Sequence, residues 1–161
     1  MHGAETYKLM GRMADAGKIW ISAELAKKIR AHGAETYPEE CCGALLGRDA
    51  DPDRPREILA LLPLVNQRRD SPRNRFSVSP RDVMEAEKTA IARGMEVIGW
   101  YHSHPDHPAR PSAYDRENAW PWYSYVIVSV QSGVAKEITS WRLQNDRESY
   151  VEERLEEVKE I

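Results

Sequence analysis

Cysteine is nearly absent from this chain, and the two it has, Cys41 and Cys42, are adjacent. Neighbouring cysteines cannot staple distant segments, which excludes a disulfide scaffold, fits a reducing compartment and leaves no zinc-finger spacing. Neither sign of charge dominates, since 23 Lys and Arg against 26 Asp and Glu leave a formal net charge of -3. A bulk polyanion-binding surface is therefore not expected, and nucleic acid is not an expected partner. No run approaches the length of a membrane span and the first residues lack an apolar signal core, so the expectation is a soluble, cytoplasmic protein with no membrane role. Common catalytic templates are missing too: there is no His-Glu-x-x-His helix, Gly-x-Ser-x-Gly elbow, Walker lysine loop or glycine-rich dinucleotide fingerprint. The zinc-deaminase pairing of His-x-Glu with Pro-Cys-x-x-Cys is also absent.

What remains is 161 residues with 41% hydrophobic content, enough for one domain with a real core. Residues 1–17 carry scattered glycines without a sustained period and read as a loosely ordered lead-in, leaving 18–161 as the domain. His2-Gly3-Ala4-Glu5-Thr6-Tyr7 recurs at 32–37, but the similarity stops there and indicates no repeat architecture. Lys18 to Ile21 reads as a strand, with Ser22 capping a helix to about Ala31 that Gly33 ends. An apolar strand up to Gly47 and a second over 56–65 should pair antiparallel across the turn-rich 49–53 segment. The arginine-bearing stretch 66–75 reads as a solvated loop, and 75–78 as a short strand. Ser79-Pro80 then starts a helix reaching Gly94, with Val83, Ala86, Ala90 and Ile91 inward. Tyr123–Val130 and Val134–Leu143 read as strands joined at 131–133. Val151, Leu155 and Val158 predict a closing amphipathic helix over 146–161.

The chemistry concentrates at 102–115. Three of the five histidines fall within six residues, after the apolar run Glu96–Tyr101. On a strand, His102 and His104 project from one face, the disposition of two metal ligands. Pro105, Pro108 and Pro111 deny the next segment a helix or central strand, leaving an ordered loop in which His107 faces solvent. Ser112-Ala113-Tyr114-Asp115 has the Ser-x-x-acid pattern of a helix start, which sets the Asp115 carboxylate where it can swing back toward the histidines. Two nitrogens and one oxygen leave the fourth position of a tetrahedral zinc open, as in catalytic sites.

The pattern His-x-His-Pro, Ser112, Asp115 resembles the zinc signature of the JAMM (MPN-plus) metallopeptidases. Their catalytic glutamate precedes a Cys-Gly pair, which Glu40-Cys41-Cys42-Gly43 matches. Glu40 is thus the implied general base, while Glu39, one residue displaced, turns to the opposite face of a strand. The resemblance spans about 18–145 and implies an α/β fold with a mixed, curved β-sheet flanked by helices, of cytidine-deaminase-like architecture.

It further implies one catalytic Zn²⁺ on His102, His104 and Asp115, a water activated for attack, Glu40 as base and Ser112 as donor to the developing oxyanion. Ser103, between the histidines, points away and is structural. The implied substrate is a ubiquitin-like or sulfur-carrier protein cut after its Gly-Gly tail. Only a few residues separate Asp115 from the next strand, so the insertion with which linkage-specific deubiquitinases grip a second ubiquitin is not expected. Trp100, Trp120, Trp122 or Tyr114 could wall a groove for the tail, although aromatics at strand ends more commonly pack into the core. The alternatives are a non-catalytic scaffold of the MPN type, disfavoured because all five positions match, and a zinc peptidase acting on small peptides.

Overall fold

A computed structural model describes residues 17–65 and 78–159. The lead-in up to residue 16, with the first copy of the recurring hexapeptide, the loop over 66–75 and nearly all of the strand over 75–78 lie outside the described residues. In chain order the elements are β1 (Lys18–Ser22), α1 (Ala23–Thr36), β2 (Cys42–Arg48), β3 (Arg56–Leu64), α2 (Pro80–Ala92), β4 (Glu96–Pro105), α3 (Ala113–Glu117), β5 (Ser124–Gln131), β6 (Val134–Leu143) and β7 (Tyr150–Val158). The strands form a mixed sheet in the order β1-β3-β2-β4-β5-β6-β7, whose curvature brings β7 back beside β1 to close a barrel. The β2–β3 pair is antiparallel, as the turn chemistry predicts, while β4 and β5 run parallel across the intervening α3.

Two apolar clusters hold the helices. Ala26 and Ile29 of α1 pack with Ile19, Leu45, Tyr101 and Val128, whereas Ala86 and Ala90 of α2 pack with Leu46, Val97 and Trp100. Each fully buried large aliphatic here is worth about 1.5–3 kcal/mol. β4 serves both clusters through a bulge. Its partner β2 pairs Leu45 with Gly99 but Leu46 with Val97, so Ile98 is the extra residue. Ile98 and Tyr101 consequently join one cluster, and Val97 and Trp100 the other. Arg56 is 2% exposed, and its Nη1 donates to the Ile98 carbonyl at 3.1 Å and to Ser124 Oγ at 2.9 Å. Its Nε and Nη2 grip Asp49 Oδ1, and its guanidinium lies over the Trp122 ring. This buried cation ties the β2–β3 hairpin to the bulge that sets the phase of the histidine strand.

Three expectations need correction. First, Gly33 does not end the first helix, which continues to Thr36. A Cβ at Gly33 would lie 3.0 Å from Val130 Cγ2, so this glycine permits close helix–sheet packing, and the helix stops where Pro38 bars Tyr37 from helical geometry. Second, Ile91 is 76% exposed and not on the inner stripe of α2. Third, the closing segment is strand β7, not a helix. Val151, Leu155 and Val158 have helical spacing, but the segment lies between β6 and β1, where backbone pairing on both sides outweighs that periodicity. Its most buried residue is Glu153, whose carboxylate accepts from Ser140 Oγ at 2.7 Å and pairs with Arg142. An inward acid disguised the strand alternation.

Candidate metal centre

His102 and His104 sit at the end of β4, buried to 1% and 7% exposure, on the same face as Trp100. The loop 106–111 then turns the chain back so that α3 starts over them. Ser112 caps α3 in a capping box: its Oγ accepts from Asp115 N at 3.1 Å, and Asp115 Oδ2 accepts from Ser112 N at 2.8 Å. That reciprocal bond fixes the Asp115 carboxylate toward the histidines.

Three ligand atoms converge. The two Nε2 atoms are 3.0 Å apart, His104 Nε2 is 3.2 Å from Asp115 Oδ2, and His102 Nε2 is 3.4 Å from Oδ1. His104 Nδ1 is 2.9 Å from the Pro108 carbonyl, which can only accept. The ring therefore carries a proton on Nδ1 and turns Nε2, the nitrogen that would ligate a metal, toward the carboxylate. Two imidazole nitrogens and a carboxylate gathered this closely are a donor set suited to a cation. Bonds of about 2.0–2.1 Å to a tetrahedral Zn²⁺ give ligand-to-ligand edges of roughly 3.3 Å, so the donor set and its spacing fit that ion. Among the described residues this trio is the one group of His, Cys, Asp and Glu arranged so.

The electrostatics point the same way. Burial opposes charge on Asp115, but the two imidazoles outweigh it and hold the carboxyl well below the usual range. Burial lowers the His102 proton affinity, with Asp115 opposing. Glu40 is 4% exposed, and its burial, with the Asp115 charge second, pushes the carboxyl up to about 9. Two buried acids beside two imidazoles form a low-dielectric cage that a divalent ion would relieve.

Glu40 lies just before β2 while Glu39 is exposed, so the two side chains do part as expected. Ser103 is fully buried and its Oγ accepts from Cys41 N at 2.8 Å, pinning the residue after Glu40 to the histidine strand. His107 is exposed. Of the aromatics, Trp100 is buried, whereas Trp120 and Trp122 are 65% and 43% exposed. The structure also brings in residues that sequence reasoning missed. Pro108 contributes through a carbonyl, which residue type does not reveal. Tyr150 reaches the site because β7 is a strand. It lines a small cavity with His102 and Asp115.

Residues 22–144 match the family described as prokaryotic homologs of the JAB domain. The desampylase of Haloferax volcanii is 33% identical over 119 residues, covering 71% of this chain and 82% of that one. A probable TtuB-protein conjugate cleaving protease of Thermus thermophilus is 31% identical over 109 residues, covering 68% of each chain. The solution structure of a protein from Desulfitobacterium hafniense superposes with a TM-score of 0.76 at 32% identity, covering 89% of this chain and 94% of that one. No helix among the described residues is long and apolar enough to cross a membrane. With a buried His-His-Asp cluster at the end of β4 and a family match over most of its length, the chain belongs to the prokaryotic JAB-domain family and is a hydrolase of the JAMM type.

Proposed function

We propose that this protein is a zinc-dependent isopeptidase that cuts after the Gly-Gly tail of a ubiquitin-like or sulfur-carrier protein. The observation that carries the reading is the convergence of three possible ligand atoms, on His102, His104 and Asp115, beside the buried Glu40. Zinc held by those three residues would supply a Lewis acid to polarise the scissile carbonyl and acidify a water. Glu40 takes the proton of the attacking water and passes it to the leaving amine, and its burial suits it to hold that proton between the two steps. Ser112 donates its hydroxyl proton to the oxygen on which charge develops. Its Oγ lone pair already accepts from Asp115 N, which orients the hydroxyl.

The substrate class is supported by the names of the two prokaryotic relatives, a desampylase and a probable TtuB-protein conjugate cleaving protease. A groove of about 180 Å³ walled by Val78, Val83, Trp100, Trp120 and Tyr123, with the polar Asn118 beside them, suits an extended, flexible tail. The test is zinc content together with cleavage of a Gly-Gly-tailed ubiquitin-like fusion, using wild type and Glu40→Gln. Zinc in both proteins with cleavage by wild type alone is expected; zinc with no cleavage of any such fusion would overturn the substrate class.

A further inference from the structure

We propose that Tyr150 is a positioning residue of the metal centre, holding the Asp115 carboxylate through one water in the cavity between them. This rests on the metal reading above. Tyr150 Oη is buried and has no hydrogen-bond partner among the described residues. A desolvated hydroxyl left without a hydrogen bond destabilises the fold, so a tyrosine here in place of phenylalanine calls for an account. The cavity it lines, with His102, Asp115, Tyr125 and Ile127, measures about 20 Å³. That volume holds a single water, which needs two or more polar partners.

The partners are at hand. Asp115 Oδ2 is occupied by Ser112 N and faces His104, whereas Oδ1 faces His102 at 3.4 Å and keeps a lone pair for a further donor. A water accepting from Tyr150 Oη and donating to Asp115 would satisfy both groups and stop the carboxylate rotating about its last bond. Groups that orient ligating residues in this way are worth about 10–100-fold in metal affinity. Tyr150 itself is anchored from behind, its ring edge-on to Tyr125 at 6.4 Å and its backbone paired with Leu143.

The experiment compares zinc affinity, by competition with a chromogenic chelator, and metal-free melting temperature for wild type, Tyr150→Phe and Leu143→Ala. Leu143→Ala is the packing control: it loosens the same β6–β7 pair without removing a hydroxyl. Tyr150→Phe should bind zinc about tenfold or more weakly, with a metal-free melting temperature unchanged or raised. Equal zinc affinities for wild type and Tyr150→Phe overturn the proposal. So does a loss of affinity that Leu143→Ala reproduces, because the effect is then general loosening. A wild-type protein that binds no zinc overturns the metal reading itself, which separates that failure from this one.

Discussion

His104 donates its Nδ1 proton to the Pro108 carbonyl 2.9 Å away, and this bond decides what the other side of the ring can do. With a proton fixed on Nδ1, Nε2 is left as the ring's ligand nitrogen, facing Asp115 at 3.2 Å. The loop after the histidines is therefore part of the site: its prolines hold the carbonyl that sets the tautomer. Replacing His104 with Ala should abolish stoichiometric zinc binding, measured by elemental analysis after dialysis. Full zinc content in that variant would remove His104 from the ligand set.

Glu40→Gln keeps the shape of the buried side chain but cannot accept a proton. Turnover should fall by about 10²–10⁴-fold, the range for loss of a general base. Zinc content should be unchanged. Near-wild-type turnover would put the base elsewhere.

The same residue should govern the pH dependence of the metal-free protein. Glu40 has a folded pKa of about 9, above its unfolded value, so between the two the folded state binds the extra proton. Stability is then greatest at the low end of that window and declines as pH rises, by up to about 1.4 kcal/mol per unit. The depressed proton affinities of His102 and Asp115 act oppositely, removing stability as pH falls, below about 6.5 for His102 and below about 3.8 for Asp115. Chemical denaturation of chelated protein from pH 7 to 8 reads mainly the Glu40 contribution, because His102 acts below this window and the buried Cys41 and Cys42 thiols mainly above it. Stability should fall over that range in wild type and stay flat in Glu40→Gln; parallel curves would refute the assignment.

Ser112 caps α3, and one substitution can separate that role from the proposed catalytic one. Ser112→Ala removes the helix cap, costing about 1 kcal/mol. It should also lower kcat by about 10²-fold through loss of the oxyanion donor. A stability loss with unchanged kcat would leave the residue only a cap.

Gly43 is required by its neighbour. A Cβ there would lie 2.2 Å from Tyr101 Cε1, and Tyr101 is held by its hydrogen bond to His32. Gly43→Ala should destabilise the fold by about 1–3 kcal/mol through overpacking. Thermal unfolding is the check, and an unshifted midpoint would mean the ring moves aside freely.

Much of the site was legible in the chain because its parts are local. His102 and His104 lie two residues apart on a strand, and Ser112 with Asp115 forms a capping box whose geometry is fixed within one turn. Glu40 is different: only resemblance to the Glu-x-Cys-Gly pattern pointed to it, because its burial and its closeness to Asp115 depend on β2 pairing with β4. Tertiary structure decided the rest. The bulge at Ile98 shifts the phase of β4, and Arg56, an ordinary cation in sequence, is buried against that bulge. Residues 146–161 repeat with helical spacing, yet 150–158 form a strand, since pairing with β6 and β1 satisfies a whole row of backbone groups that a surface helix would leave without sheet partners. That long-range pairing is what carries Tyr150 to the cavity beside His102 and Asp115, and periodicity along the chain holds no record of it.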